Sequence, residues 1–577
     1  MPRIETASTS KIQIDGRQIE ENVAYVDLDQ SISTHHVLKV RLRFVAQTSG
    51  SHDFIDTGTY TSYLGKSITL TITPHGNVVD ASKQLEFIGT ITRIDFDNSV
   101  EELNSVVIVA HSPTIALDGA TRNSFFYDMK ASEIISSVLG KHSISSGTVE
   151  TTPDLLKFAV QYGETDYDFI MRLASANSLY VYYDGRNLNV KKADSGGPEE
   201  LIWLQSLGSV SLALGTASYK IAGHSFDYVQ KKELSGSMQA RGGSYTSSAE
   251  NASKQIYKNA GDSPLLHLAL DQHALDSQLE ATSKMSLGTI VTCTGESIIP
   301  SVKIGRCVKI SGMDKFNGLY WVREVRHVVD ESGKYHNTFE ATPVETSFPP
   351  DRSSLQPFSH LQNALVTDNN DPDSLGRVKV KFPWSNNLTT PWLRIVFPDS
   401  GKERGWFYVP EINDEVLVGY EQGNPDLPVV LGCLYNGVDK PALTASDYVG
   451  SAGVKMKQFN TRNGNKVLFK DEDGKEQIKI TQKDGKNSIL LSMDPLSIAI
   501  ESEGDIKIKG KNISLEAEKD FKVKANAVSL TSDAKTEIKA SADLALNGTN
   551  VKSEASAMHD VKAGGVLTIK GSMVQIN

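Results

Sequence analysis

The last part of the chain alternates apolar and polar residues in short runs. Residues 506–530 read "IKIKGKNISLEAEKDFKVKANAVSL", in which four apolar doublets begin seven, eight and seven residues apart. Alternation predicts strands, and the gaps of mostly Lys, Asn, Glu and Ala lack the turn chemistry of hairpins. We therefore predict a ribbon of very short strands over 498–577, each with one apolar face.

One such unit cannot bury its apolar face alone. Three units could form one coil of a single-chain solenoid, or three chains could each supply one side of a triangular prism, and the period leaves both arrangements open. The side chains predicted to face the core are Ile506, Ile508, Ile513, Leu515, Phe521, Val523, Val528, Leu530, Leu544, Leu546, Leu567, Ile569, Val574 and Ile576. Between Thr531 and Lys562 alanines replace some partners, so we expect a narrower or less regular stretch there.

The first 345 residues read as strands interrupted by helical segments. β-Branched runs fill residues 12–110, and a helix is predicted where Ile134, Ile135, Val138 and Leu139 share one face. A second helix is predicted after Thr165, whose side chain resembles an N-terminal cap. Asp184-Gly185 predicts a hairpin turn. A linker with several prolines, residues 345–360, ends this region.

Two further patterns follow the linker. Residues 361–437 contain about five predicted strands, which fits a small closed barrel. Two hairpins are then predicted, with Asp473-Gly474 and Asp484-Gly485 at their turns.

Composition narrows the function classes. The net charge of −11 over 577 residues gives no basic surplus for nucleic-acid binding. The amino-terminal residues lack the apolar stretch of a secretory signal, and no apolar run approaches the roughly 18 residues of a membrane helix. Cys293, Cys307 and Cys433 lack CxxC spacing, so we expect reduced thiols rather than a metal site or disulfides.

Candidate chemistry is weak throughout the chain. "YLGKS" at 63–67 lacks the first glycine of a phosphate loop and is interpreted as a turn. "GHSFD" at 223–227 places its residues along one strand, where they cannot form a triad, and His35 and His36 should project to opposite faces. The carboxylates of "PEINDEV" at 410–416 are interpreted as part of a turn.

Three tryptophans and one histidine are candidate binding groups. Trp384, Trp392 and Trp406 could stack on bases in a small barrel, but the acidic chain favours barrel core or subunit contact. His559 has no second histidine two residues away, so we expect a surface or pore-facing side chain. We predict no catalytic residue, no cofactor and no metal.

Three motifs of the small barrel resemble the VgrG spike proteins of type VI secretion systems, which are related to hub and spike proteins of phage tails and extracellular injection particles. They are "DPDSLGRVKVKFPW" (371–384), "PWLRI" (391–395) and "NDEVLVGYEQGNPDLPVVLGCLYNG" (413–437). Residues matching the family motif are Asp371, Pro372, Gly376, Arg377, Pro383, Trp384, Asp414, Glu415, Gly423, Pro425, Asp426, Pro428, Gly432, Tyr435 and Asn436. Asn413 and Asn424 depart from the family's usual Gly and Asp, and both fit turns.

The resemblance implies a mainly β fold with four parts. These are a tail-hub-like domain over 1–345, an OB-fold barrel over 361–437, a linker and neck over 438–497, and an intertwined triple-stranded β-helix needle over 498–577. Within the hub it implies two β-barrels, about 1–115 and 210–345, and an α/β insertion at about 120–205.

The resemblance also implies a function. The chain would be the homotrimeric central spike of a contractile injection system, piercing a target membrane and helping to deliver effectors without catalysis of its own. Implied partners are further copies of the chain, a hexameric Hcp-like tube protein, baseplate subunits, a PAAR-type tip protein, cargo effectors and, transiently, the target membrane. It would be made in the bacterial cytoplasm without a signal peptide and released with the particle on firing.

Two alternatives stay open at this point. A tail-associated cell-wall hydrolase would need a catalytic domain, for which residues 438–461 are too short. A single-chain β-solenoid adhesin would be a monomer. The sequence leaves open whether a cell-anchored type VI system or a free phage-like particle carries the spike.

Overall fold

A computed structural model describes residues 6–19, 22–32, 34–43, 57–75, 79–97, 105–243, 246–262, 271–349 and 360–576. The chain divides into two compact units, Met1–Pro441 and Ala442–Asn577. The fold is mainly β, as predicted. Most of the predicted proline-bearing linker, residues 350–359, lies outside the described residues.

The amino-terminal strands of the first unit form much of one barrel. They are β1 Thr6–Ile14, β2 Arg17–Gln18, β3 Asn22–Ser31, β4 Val37–Arg43, β5 Ser67–His75, β6 Leu85–Asp97 and β7 Ser105–His111, with a short helix α1 at Thr57–Thr61. In β5 every second residue is buried, because alternate side chains of a strand point to one face. Ile68, Leu70 and Ile72 lie in the core of this barrel.

The predicted insertion follows as a separate α/β layer. Its elements are β8 Arg122–Phe126, β9 Met129–Lys130, α2 Ala131–Leu139, β10 Ser146–Val149, β11 Leu155–Leu156, β12 Ala159–Glu164, α3 Asp166–Ala176, β13 Tyr180–Tyr183 and β14 Leu188–Lys191. The predicted apolar face of α2 is buried, and the Thr165 hydroxyl accepts a hydrogen bond from the Asp168 N–H as an N-terminal cap. Both helix predictions are confirmed. The Asp184-Gly185 turn joins β13 to β14, also as predicted.

The remaining hub strands continue the same sheet. They and the helices between them are β15 Glu199–Ile202, β16 Leu207–Leu214, β17 Lys220–Asp227, β18 Lys232–Gln239, α4 Ser247–Ile256, β19 Gly261–Asp262, α5 Gln272–Leu287, β20 Val291–Ser297, β21 Cys307–Ser311, β22 Gly318–Val329 and β23 Lys334–Pro343. A short bridge, Trp203 to Leu207, links the ends of β15 and β16. Strands β17, β18 and β19 form a sheet of their own, against which α5 packs.

One long hairpin, β22–β23, belongs to both hub barrels. The end of β22 pairs with β3 and the start of β23 pairs with β1, which closes an eight-stranded ring with β4, β7, β6 and β5. The other ends of the hairpin pair with β21 and β20 in a second ring. The predicted barrel boundaries are therefore wrong in one respect, because the barrel placed at about 1–115 needs residues 318–343 to close.

The small barrel differs from the prediction in one of its strands. Its elements are β24 Gln362–Asp368, β25 Lys379–Lys381, β26 Ser400–Gly401, β27 Arg404–Gly405, β28 Glu415–Tyr420 and β29 Pro428–Cys433. β25, β24, β28 and β29 form one sheet, and the segment at 393–396 bridges Val378 on one side and Val430 on the other, which closes the barrel. The predicted strand at 406–410 is absent, and Trp406, Phe407 and Tyr408 are exposed.

The second unit contains one antiparallel sheet, here called the neck sheet. Before it lie α6 Ala445–Tyr448, β30 Val449–Gly450 and β31 Gly453–Val454, and the sheet itself comprises β32 Met456–Asn460, β33 Lys466–Lys470, β34 Gln477–Thr481, β35 Asn487–Met493 and β36 Leu496–Ser502. Gly474 and Gly485 have positive φ at the two predicted hairpin turns. The predicted start of the needle at 498 falls inside β36, so the neck sheet ends at Ser502.

Candidate functional site

The residues after the neck sheet, 503–576, form a regular bent chain that we call the ribbon. Extended segments alternate with bends at 503–504, 511, 518–519, 526, 533–534, 541–542, 549, 556–557, 564–565 and 572–573. The bends recur every seven or eight residues, which is the period of the apolar doublets. The bends of the backbone and the apolar doublets of the side chains therefore repeat with the same period.

The ribbon has two chemically distinct faces. In six of the segments the second and fourth residues form an apolar doublet, as in Ile506 and Ile508 after the bend at 503–504. The intervening polar residues pair with one another two positions apart, for example Asp520 with Lys522 at 2.8 Å and Asp560 with Lys562 at 2.9 Å. Because residues two apart in an extended chain share a face, these ion pairs mark the polar face and the doublets mark the opposite one.

None of the described residues covers the apolar face of the ribbon. All fourteen side chains predicted to face the core, from Ile506 to Ile576, keep between 49% and 86% of their surface exposed. Among the described residues 504–576 no backbone N–H or C=O is paired with another backbone group. Strand-like segments whose ladders and apolar faces are both unpartnered need neighbouring strands from elsewhere.

The middle of the ribbon is more regular than the sequence suggested. Bends continue at the same spacing between 531 and 562, so the expected irregular backbone does not occur. The doublet positions there are filled by Thr536 with Ile538, Val551 with Ser553, and His559 with Val561. The hydrophobic pattern lapses because polar side chains occupy these positions, while the chain path is unchanged.

The neck sheet carries a second uncovered apolar face. Cross-strand pairs join Phe459 to Val467, and Val467 through Ile480 and Ile489 to Ile500. A parallel row two residues away runs from Phe469 through Ile478 and Leu491 to Ile498 and lies on the same face. Exposure of these side chains increases toward β36, where Ile498 and Ile500 are mostly exposed.

Asp371 organises the loop at 371–377 of the small barrel by accepting hydrogen bonds. Its carboxylate receives the backbone N–H groups of Asp373, Leu375 and Arg377, and the Arg377 guanidinium binds it at 2.6 and 3.0 Å. These hydrogen bonds, led by that from Arg377, hold the pKa of Asp371 well below its usual range. The side chain acts as a structural anchor of the loop.

Asp426 joins the small barrel to the hub insertion. Its carboxylate accepts the Val160 N–H at 2.6 Å and lies 3.6 Å from the guanidinium of Arg172, which is itself bound by Glu164 at 2.8 Å. Arg172 and Asp426 are both buried. Their mutual charge keeps the pKa of Arg172 above its usual value despite burial.

Trp384 lies in the same hub–barrel contact. Its ring stacks on Phe382 at 5.1 Å and meets Tyr162 and Phe125 of the insertion edge-on, and its N–H donates to Gln362 at 2.7 Å. Trp384 therefore packs against the barrel core, which is one of the two roles expected of it. Trp392 lies under the Lys379 ammonium, whereas Trp406 is exposed.

The other motif residues support local turns and do not converge on one point. Asn413, Gly376 and Gly423 have positive φ, which confirms that Asn413 takes the left-handed conformation expected of the family's glycine. Glu415 accepts from Asn363 and Asn436, Asp414 accepts the Glu411 N–H, and Asn424 accepts the Asp426 N–H. The positions without such a role here are Pro372, Pro383, Pro425, Pro428, Gly432 and Tyr435, of which Tyr435 is largely exposed.

The motifs that were weak candidates for catalysis or ligand binding occupy ordinary turns and strands. Gly65 occupies a turn with positive φ, and residues 223–227 lie within β17, both as interpreted. His35 hydrogen bonds Thr114 at 2.8 Å whereas His36 contacts Gln30 at 3.3 Å, so the two rings face different partners. Within the described part of a single chain, no group of three His, Cys, Asp or Glu residues is placed to hold a metal. No described helix has the length and hydrophobicity to cross a membrane.

A buried polar chain in the hub was missed by the sequence analysis. Gln30 bridges His36 and His327 at 3.3 Å, and His327 contacts the Tyr335 hydroxyl at 2.7 Å. Burial lowers the pKa of both histidines to about 3. Since about 300 residues separate the partners, no local pattern could have indicated it.

Comparison with known proteins reveals the family. Residues 362–435 match the "Type VI secretion system/phage-baseplate injector OB domain", and residues 5–331, more than half of the chain, match the "Alg8 N-terminal domain". The type VI secretion system spike protein VgrG5 of Pseudomonas aeruginosa is 25% identical over 61% of this chain and 50% of its own length. The chain belongs to the Alg8 N-terminal domain family, and it is similar to the VgrG-type spike proteins.

One further curated relative and one solved structure are similar to this chain. The actin cross-linking toxin VgrG1 of Vibrio cholerae is 24% identical over 62% of this chain and 36% of its own length. The chain thus spans about half or less of these curated relatives. A VgrG complex with PdpA from Francisella matches 87% of this chain and 81% of that chain with a TM-score of 0.55 at 10% identity, which shows a shared fold.

Proposed function

We propose that this VgrG-type spike protein works as a homotrimer in which three ribbons braid into one needle. The observation that carries the proposal is the ribbon itself, in which the apolar doublets are exposed and, among the described residues, no backbone group of 504–576 pairs with another backbone group. Three copies would place the doublets against a shared axis and pair each extended segment with its neighbours. The polar face, with its ion pairs, would remain in water.

The expected stabilisation is large and cooperative. Burying each Ile, Leu, Val or Phe contributes about 1.5–3 kcal/mol, repeated along the ribbon in three chains. The apolar face of the neck sheet would be covered in the same assembly, because Ile498 and Ile500 lead directly into Ile506 and Ile508. Unfolding one chain would require all three to separate.

A braided needle of this kind would transmit axial force. We propose that the hub seats on a hexameric tube and baseplate, that the needle pierces a target membrane on contraction, and that the spike helps deliver effectors, with a small tip protein at its end. The spike role of the relatives supports this proposal. We propose no intrinsic catalysis, because the motif residues support loops and contacts between domains.

Light scattering on the purified full-length protein tests the assembly. A trimer has a mass of about 189 kDa, three times the chain mass of 62.9 kDa. A mass of one chain would contradict the proposal and favour a single-chain adhesin.

Matched variants test which face is covered. Val523→Asp should abolish the trimer, because it would bury three carboxylates at one level of the needle. Lys522→Glu, on the polar face beside it, should leave the mass unchanged. Equal behaviour of the two variants would show that the facing assignment is wrong.

A further inference from the structure

A pocket opens on the outer surface of the small barrel. Its volume is about 570 Å³, which lies within the roughly 300–1,000 Å³ typical of small-molecule sites. Asn363 and Leu365 of β24 line it, because alternate residues of this strand face away from the barrel core. Leu365 is 41% exposed, so the pocket is open to solvent in the single chain.

Strand register places a charged side chain on each side of Leu365. Lys381 of β25 is its neighbour on one side and Glu415 of β28 on the other. The Glu415 carboxylate accepts hydrogen bonds from the side-chain amides of Asn363 at 2.7 Å and Asn436 at 2.9 Å. These bonds orient the Asn363 amide, and none of the described residues donates to its Oδ1. The floor of the pocket therefore combines an apolar side chain with a cation, an anion and an amide.

The loop after β25 adds two asparagines to the wall of the pocket. Asn386 and Asn387 have φ values of 49° and 67°, a left-handed conformation that most side chains avoid. The buried Ser385 hydroxyl donates to the Leu388 carbonyl at 2.7 Å, which fixes the turn. The Lys381 ammonium donates to Oδ1 of Asn387 at 3.4 Å. The loop is therefore held in place by contacts within the barrel itself.

We propose that this pocket binds a neutral saccharide built of N-acetylated amino sugars. The opposite charges of Lys381 and Glu415 favour an uncharged ligand. Amides donate and accept hydrogen bonds, an ammonium only donates and a carboxylate only accepts. This set matches sugar hydroxyls, which do both, and an acetamido group, which carries one N–H and one C=O. The exposed side chains of Leu365 and Pro383 supply an apolar contact for the acetyl methyl group.

The proposal concerns a single chain and does not rest on the trimer. The pocket uses the first, second and fourth strands of the barrel and the loop that follows the second. Other OB-folds bind oligosaccharides on the face of the second and third strands, so this pocket would be a different site. It would give the spike a contact with cell-surface glycan in addition to its proposed mechanical role.

Saturation-transfer NMR of the full-length protein with chitotetraose tests the pocket. We expect transfer to the acetyl methyl protons, and weaker transfer to maltotetraose, which has no acetamido group. The double variant Asn386→Gly/Asn387→Gly should weaken binding about tenfold, because glycine keeps the left-handed loop and removes both amides. Asn413→Gly, at an exposed left-handed position of the same barrel outside the pocket, should bind like the unaltered protein.

The outcomes distinguish the pocket from other origins of binding. Absence of transfer with the unaltered protein would overturn the proposal, and so would equal binding by the double variant and Asn413→Gly. Equal transfer to both sugars would contradict selection of the acetamido group. Retention on insoluble peptidoglycan would assign a bacterial wall as the source, and retention on chitin alone another polymer. A protein with the mass of one chain that binds chitotetraose would contradict the proposed function and leave the pocket standing.

Discussion

The first hub barrel and the ribbon use the same sequence pattern with opposite results. In β5 the alternating residues Ile68, Leu70 and Ile72 are completely buried, whereas Ile506 and Ile508 of the ribbon are 54% and 73% exposed. β5 pairs along its length with β1 and β6 of the same chain. The ribbon segments have no such neighbours among the described residues.

The comparison separates two kinds of information in an alternating strand. Alternation states that one face is apolar, and it does not state what covers that face. In the hub, strands that are distant in sequence pair with one another and close rings within one chain. In the ribbon no described segment pairs with another, and the proposed trimer would supply the covering strands from other copies.

The largest effect is expected when a ribbon doublet is truncated. Leu515→Ala should cost about 2–5 kcal/mol at each of three equivalent positions of the proposed trimer, and the unfolding midpoint should fall at every protein concentration while still rising with concentration. Urea titrations at several concentrations measure this. Lys509→Ala on the polar face should change stability by less than about 0.5 kcal/mol, and an equal loss there would contradict the facing assignment.

Truncation in the hub should act within one chain. Trp321, on the shared hairpin, is fully buried, so Trp321→Ala should lower hub stability by about 3–5 kcal/mol regardless of concentration. Hydrogen exchange of β22 and β23 amides measures the loss. Trp406→Ala, at an exposed site, serves as the control, and similar effects of both would show that the hairpin is not the shared element.

The contact between hub and small barrel should be weaker than either core. Asp426→Ala removes one of two carboxylates from Arg172, and the cost should be about 1.5–3 kcal/mol because Glu164 still pairs with the guanidinium. Proteolysis between hub and barrel should accelerate in this variant. Asp262→Ala, which removes an exposed carboxylate, should leave the rate of proteolysis unchanged. If Asp426→Ala is cleaved no faster than the unaltered protein, the proposed role of Asp426 is contradicted.

Acid should affect the hub through its buried histidines. Burial lowers the pKa of His36 and His327 to about 3 in the folded protein, whereas the pKa of a histidine in the unfolded chain is near 6.5. Below pH 6.5 the unfolded chain therefore binds more protons than the folded protein, and the stability of the fold falls as the pH decreases. From pH 7 to 5.5 each histidine should remove about 1.4 kcal/mol. His327→Gln should reduce that difference, measured by urea unfolding at both pH values, and an unchanged difference would refute the assignment.

The smallest effect is expected at a single turn. Asn413 has a φ of 76°, so Asn413→Ala should cost about 1 kcal/mol and Asn413→Gly almost nothing. Thermal unfolding of the two variants measures the difference. Equal melting temperatures would show that the left-handed turn places no demand on this position.

Local features could be predicted because their causes are local. The Thr165 cap, the left-handed Asn413 and the glycine turns at 474 and 485 each depend on a few adjacent residues. Even the barrel motif could be recognised along the chain. The missing strand at 406–410 shows the limit, because its three consecutive aromatic residues are typical of strands but form no strand in the closed barrel.

The amino-acid sequence by itself determined the period of the ribbon, the apolar face of each segment, the mainly β class and the family, since these follow from neighbouring residues. Tertiary structure alone decided that β22–β23 completes two barrels and that Phe125 and Tyr162 pack against Trp384. The physical reason is distance along the chain: strand pairing and side-chain packing join residues hundreds of positions apart, and no local pattern records which partner each face will meet.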